Sequence, residues 1–282
     1  MILIGAHMPT TNGIDKVPQE TVRIGGNAFQ VFGHNPRTWR AQIPSQSKVK
    51  SFKEQMVKHK FLSSSAFCHS GYLMNLASPK DDMWEKSIQL LITEMKICLS
   101  LGIKFLNIHP GSHLNSGETQ GISRIAKAID LALEKVSEVI LLLENVSPKG
   151  ANIGYKFSQI KDILDNVSEP RRIGITYDTC HGFDAGYDIT SMEGVRKLLD
   201  EIENNVGLEK LKMIHLNDSK APLGKALDRH ENIGRGFIGD KGFSVFLSFE
   251  EIQKIPWILE TPGSNEEHAQ DIRHVKEILG MM

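Results

Sequence analysis

No apolar run in this sequence approaches the roughly 18–20 residues that span a bilayer, which excludes an integral membrane helix. The opening residues, MILIGAHMPTTNG, have neither a basic leader segment nor a cleavage-site pattern, so no secretory signal is expected. Cysteine is scarce: Cys68, Cys98 and Cys180 are odd in number, far apart in sequence and in no CxxC pair. That usage argues against a disulfide framework and a thiolate zinc site, and for a reducing cytoplasm. An excess of one charge is missing too. At a net charge of −1 the chain has no global attraction for a polyanion, so a nucleic-acid partner would need local positive charge or bound cations. There is no low-complexity segment, composition shift or Ser/Gly linker, and residues 1–282 read as one domain. No GxGxxG or GxxxxGK[ST] follows the first candidate strand, which counts against an open doubly wound sheet.

What the chain does contain is a short aliphatic run followed by a longer stretch of helical period, repeated along its length. The candidate strands are 2–7, 28–33, 63–69, 105–110, 139–145, 173–179, 211–218 and 256–262. Between them, residues 81–102 place Trp84, Ile88, Leu91 and Met95 at intervals of three to four, and Gly102 closes the segment as a C-terminal cap. Residues 119–136 carry the same stripe, and 191–207 also end in glycine. Eight apolar strands alternating with helices imply parallel strands joined by crossovers, and eight is the number that closes a TIM (β/α)8 barrel.

In such a barrel, reactive residues sit at the carboxyl ends of the strands and in the loops just after them. Those positions hold His69, His109, Glu144, Asp178 with His181 in its loop, His215 with Asp228 and His230 in its loop, and Glu260. Taken singly, each has an ordinary structural explanation: a hydrogen-bonded histidine, a helix-capping or loop-ordering carboxylate. Together, four carboxylates at one mouth repel unless countercharge is supplied, and Arg229 and Lys220 are the obvious nearby cations. Divalent metal ions resolve this, and histidine with carboxylate but no cysteine suits zinc or manganese in a catalytic setting. Nine such side chains serve two ions generously or three economically. Three would leave surplus positive charge for a phosphate, and clustered dications suit in-line phosphodiester hydrolysis.

The strings HSGYLMNL (69–76), GITYDTCH (174–181) and HLNDSKAPLGKALDRH (215–230), with HPGSH (109–113) and LLENVS (142–147), closely resemble the endonuclease IV family of apurinic/apyrimidinic DNA repair enzymes, along the whole chain. The resemblance implies a barrel with three zinc ions that cuts double-stranded DNA on the 5′ side of an abasic site, leaving a 3′-hydroxyl and a 5′-deoxyribose phosphate. It implies His69, His109 and Glu144 around the first zinc, Glu144 bridging to a second with Asp178, His215 and Glu260, and His181, Asp228 and His230 around the third, where manganese could stand in at one position. Glu144, Asp178 and Glu260 are then the catalytic carboxylates. Arg37 and Tyr72 match side chains that enter the base stack at the lesion, where their ordinary readings are a loop cap and a packed ring, and Arg229, inside the DRH string, is expected to contact a phosphate. A monomer without an obligate protein partner is expected.

The sequence departs from the family pattern at 146–149, which read VSPK where a glycine-rich polar stretch is usual, and at Gly71, where serine or alanine is commoner. His7, His34 and His113 are expected to support the ligands or face DNA, His59, His268 and His274 to be solvated, and Cys68 and Cys180 to be buried and not metal-bound. Two rivals use similar residues. A metal-dependent sugar isomerase or epimerase has no use for a third ligand set or for exposed Arg37 and Tyr72, and a non-catalytic lesion-binding metalloprotein would bind without turnover.

Overall fold

Aliphatic runs without polar alternation become strands when both faces are covered. In the computed structural model, which describes residues 2–281, eight of these runs close into a parallel barrel. They are β1 (Ile4–His7), β2 (Ala28–Phe32), β3 (Ala66–His69), β4 (Phe105–Ile108), β5 (Ile140–Glu144), β6 (Ile173–Asp178), β7 (Leu211–His215) and β8 (Trp257–Leu259). Each strand pairs with its neighbours in chain order, and β8 closes on β1 with Ile4 opposite Trp257. The expected TIM barrel is thus the observed fold.

The helices are α1 (Val17–Arg23), α2 (Gln46–Lys58), α3 (Asp81–Leu101), α4 (Glu118–Leu133), α5 (Phe157–Asn166), α6 (Thr179–Asp184), α7 (Met192–Asn205), α8 (Gly239–Phe246), α9 (Glu250–Gln253) and α10 (Asn265–Ile278). Asp81 and Asp82 oppose the dipole at the start of α3, and Gly102, with φ of 75°, ends it in the left-handed conformation that glycine adopts without cost. Among the described residues, no helix is long and apolar enough to cross a membrane.

Three expected elements shift. The third strand begins at Ala66, because Ser63–Ser65 form a 3-10 turn. The seventh stops at His215. Asp218–Ser219 leave the barrel and pair antiparallel with His230–Glu231, Ser219 opposite His230, which closes the long loop carrying Arg229. His181 lies not in a loop but in α6, whose N-cap is Asp178.

Alternation along the strands divides the interior in two. Ala28, Phe67, Phe105, Leu142, Met213 and Ile258 form an apolar layer separate from the larger core between strands and helices. Two residues further along the same strands stand Gln30, His69, Asn107, Glu144, His215 and Glu260. Interior-facing positions therefore change from hydrocarbon to polar groups within one strand repeat, and that change positions the site. Cys68 points to the helix-facing core; Cys68 and Cys180 are buried free thiols, as expected, and so is Cys98.

At the outer surface, His274 of α10 lies 2.7 Å from Asp240 of α8 and 3.2 Å from Glu277. Partial burial works against its charged form, but the two carboxylates outweigh burial and raise its pKa. Because the folded-state pKa is raised, the clasp contributes below the ordinary value of about 6.5 and is lost as pH rises through the raised one. His274→Ala is expected to cost under about 1 kcal/mol at pH 6 and nothing at pH 9, read by chemical denaturation at both pH values.

Candidate metal centre

The polar layer gathers at the C-terminal mouth of the barrel. Among the described residues, three groups of side chains could each hold a metal ion: His69 with His109 and Glu144; Glu144 with Asp178, His215 and Glu260; and Asp178 with His181 and His230. Glu144 is fully buried at their junction. Its Oε2 lies 3.3 Å from both His69 Nε2 and His109 Nε2, and its Oε1 lies 3.1 Å from His215 Nδ1. Asp178 Oδ2 is 3.7 Å from both His215 Nδ1 and His230 Nε2.

The third group departs from the expected set, since Asp178 stands in it in place of Asp228. Asp228 sits at the margin of the mouth with its Oδ1 3.2 Å from His181 Nε2, and its backbone adopts a φ of 50°. Buried Asp184 holds that turn, accepting from Asp228 N–H and from Ser147 Oγ, so the unusual 146–149 stretch acts as a support beneath Asp228.

The arrangement fits divalent cations. Four of the imidazoles donate from one ring nitrogen to a protein oxygen: His69 to Ser70 O, His181 to Asn145 O, His230 to Glu260 O and His215 to Gln30 Oε1. These bonds fix the rings and direct the other nitrogen at the carboxylates, the arrangement that metal-ligating histidines need. His230 Nε2 is buried without any hydrogen-bond partner.

Electrostatics point the same way. Burial pushes the Glu144 carboxyl up, but His215, His109 and His181 outweigh it and hold the group well below the usual carboxylate range. Glu260 is held low in the same manner, against burial, by His215, His7 and His69. Asp228 is lowered to about 2, chiefly by its hydrogen bond from His181. His215 rises to about 9, because Glu260, Glu144 and Asp178 override the effect of burial. The carboxylates thus stay ionised and demand positive charge, which protons supply in this geometry and dications can replace.

Several supports are not evident from residue type. Asn217 donates to Asp178 Oδ2 at 2.7 Å and accepts from Glu260 N–H at 2.8 Å. Asn145 binds both backbone groups of Asp178, Asn107 donates to Glu144, and Gln30 donates to Glu260 Oε1 at 2.7 Å. Their signal in the sequence is position: Asn107 and Asn217 lie two residues from His109 and His215, around the carboxyl ends of the fourth and seventh strands. His7 is a supporting residue, 3.0 Å from Glu260 Oε1. His268, expected to be solvated, is buried; its Nε2 donates to Thr261 O, and it lies on the same face of α10 as buried Ile272 and Val275.

Beside the mouth runs a groove of roughly 890 Å³ lined by Arg37, Tyr72, Asn35 and Pro36. Arg37 is exposed and Tyr72 is 64% exposed, with its ring edge-on to Phe32 at 5.2 Å. The structure brings these two together. Arg229 is exposed on the loop closed by Ser219 and His230, away from the groove lining.

A family model described as a xylose isomerase-like TIM barrel matches residues 18–278. A probable endonuclease 4 from Thermotoga neapolitana is 61% identical over 279 residues, covering 99% of this chain and 97% of its own length. Among solved structures, endonuclease IV from Thermus thermophilus superposes with a TM-score of 0.86 at 29% identity, over 99% of this chain and all of that one. A D-tagatose 3-epimerase-like protein shares the fold alone, with a TM-score of 0.75 at 15% identity, over all of this chain and 98% of its own.

Proposed function

We propose, because the chain belongs to the endonuclease IV family, that it is a metal-dependent nuclease that hydrolyses the DNA phosphodiester bond 5′ to an abasic site, leaving a 3′-hydroxyl and a 5′-deoxyribose phosphate. The observation that carries this reading is the joining of three candidate ion sites through Glu144 and Asp178, next to a groove with an exposed Arg37 and Tyr72. In this reading His69, His109 and Glu144 hold one ion, Glu144, Asp178, His215 and Glu260 a second, and His181, His230 and Asp228 a third, with Asp178 in reach of the last as well. Zinc suits these donors, and manganese can replace it at one position. When bound, such ions supply positive charge to the phosphate and acidify a water for attack.

The chain's own side chains do the rest. Gln30, Asn107, Asn145 and Asn217 fix the carboxylates in orientation, so the site is formed before DNA arrives. Arg37 and Tyr72 test the stack, where a missing base lowers the cost of entering and extruding the nucleotide. Arg229 takes a phosphate. The protein acts as a monomer in the cytoplasm, where Cys68, Cys98 and Cys180 remain thiols.

The third group and the exposed pair favour this reading over sugar isomerisation, which uses neither. The test is incision of an end-labelled duplex carrying one abasic position, with elemental analysis of the same preparation. A single cut 5′ to the lesion with a 3′-hydroxyl end is expected. Retention of the duplex without turnover, or turnover of ketoses only, would overturn the reading. Tyr72→Ala is expected to weaken binding of the abasic duplex by about tenfold or more, the scale of one lost stacking contact, with bound metal unchanged. Loss of metal in step with affinity would remove Tyr72 from a probing role.

A further inference from the structure

Helix α3 carries one charged residue on its apolar face. Leu91, Met95 and Cys98 pack inward at helical spacing, and Glu94 lies among them, buried. A carboxylate there is costly unless paired. Its Oε1 accepts two hydrogen bonds, from Gly71 N–H and from His34 Nε2, each 2.7 Å long. Gly71 precedes Tyr72 after β3, and His34 precedes Arg37 after β2, so one buried oxygen holds both loops. A direct link joins them as well, Tyr72 N–H donating to Pro36 O at 2.9 Å. Glycine suits this junction because a Cβ at position 71 would stand 3.1 Å from Pro36 O and 3.3 Å from His34 Cε1.

We propose that Glu94 and His34 are positioning residues for lesion recognition: they fix the Arg37 and Tyr72 loops as one unit, so that both side chains meet the duplex at a set spacing. This rests on the reading of Arg37 and Tyr72 as DNA-probing residues. Neither Glu94 nor His34 belongs to the three candidate ion groups. Holding the loops together before binding removes an ordering cost that would otherwise weaken the complex.

Three variants test it in the metal-loaded protein. Glu94→Gln keeps the shape but removes the charge that strengthens both bonds. His34→Leu removes the donor, and His34→Gln returns an N–H near the position of Nε2. Steady-state incision of a duplex with one abasic analogue is measured beside hydrolysis of bis(p-nitrophenyl) phosphate, which offers no duplex to probe, together with metal content and thermal melting. KM for the duplex is expected to rise about tenfold in Glu94→Gln and His34→Leu, with kcat changed by less than about threefold. His34→Gln stays near wild type, and the small-substrate rate and metal content hold in every variant. Added to Tyr72→Ala, Glu94→Gln causes a clearly smaller further loss than it does alone, because part of its effect acts through Tyr72 and only the Arg37 part remains.

An unchanged KM, an equal loss on both substrates, or additive losses in the double variant overturns the proposal. If Glu94→Gln no longer melts cooperatively, the two His34 variants decide. A wild-type protein that leaves the abasic duplex intact sinks the nuclease reading and this inference with it. One that cuts, and is impaired by Tyr72→Ala but not by His34→Leu, sinks only the coupling.

Discussion

Replacing Glu144 with glutamine is expected to lower scission at an abasic site by about a thousandfold or more, while the barrel still folds. Glu144 is fully buried, and its two oxygens face different groups, Oε2 toward His69 and His109 and Oε1 toward His215. Glutamine has nearly the same volume, so the apolar layer below, with Leu142 on the same strand, keeps its packing. What changes is charge. The amide cannot balance the imidazoles on both sides, and one of its ends presents N–H groups where an acceptor stood. Affinity for two of the three ions falls together, because both groups share this residue. Glu144→Asp provides the contrast: it keeps the charge but is shorter by one methylene, so it serves one group and not both. Single-turnover incision, elemental analysis and thermal melting of wild type and both variants check the expectation. Scission by Glu144→Gln within about tenfold of wild type contradicts it, since a central bridging carboxylate cannot be that dispensable.

That a glutamate at the end of an aliphatic run can be singled out from sequence follows from the barrel itself. Strands covered on both faces read largely as hydrocarbon, so a carboxylate or imidazole at a strand end stands out, and His69, Glu144, Asp178, His215 and Glu260 all do. The supporting amides do not. Asn107, Asn145 and Asn217 look like ordinary loop or strand-end residues until the register places them against Glu144, Asp178 and Glu260. Asp228 is the hardest to place, because its distance from His181 depends on a long loop whose closure comes from the small Ser219–His230 pairing and on Asp184 beneath it. His268 and Glu94 are legible in principle. His268 shares a helical face with buried Ile272 and Val275, and Glu94 with Leu91 and Cys98, so a polar residue in an apolar stripe is the signal. The polar neighbours in sequence, NEEHAQ around His268, conceal it.

Stripping the ions with a chelator is expected to abolish incision and to lower the melting temperature by several degrees, without loss of the barrel's secondary structure. The site gathers Glu144, Glu260 and Asp228 as ionised carboxylates, whose charge protonated imidazoles balance when no ion is bound. Glu144 and Glu260 are held in the charged form, against the effect of burial, chiefly by imidazoles. A ligand that binds the folded chain alone stabilises it by about 2.7 kcal/mol when present at a hundredfold over its dissociation constant, and the increments grow with each further site. The interior layer of Phe67, Phe105, Leu142, Met213 and Ile258 lies beneath the polar layer and does not depend on the ions, so the far-ultraviolet circular dichroism should persist. Readdition of zinc should restore both melting temperature and incision, and titration with elemental analysis should show three equivalents at full recovery. Recovery complete at one equivalent would mean that the groups around His69, His215 and His230 do not act together, and the joined site inferred from Glu144 and Asp178 would have to be abandoned.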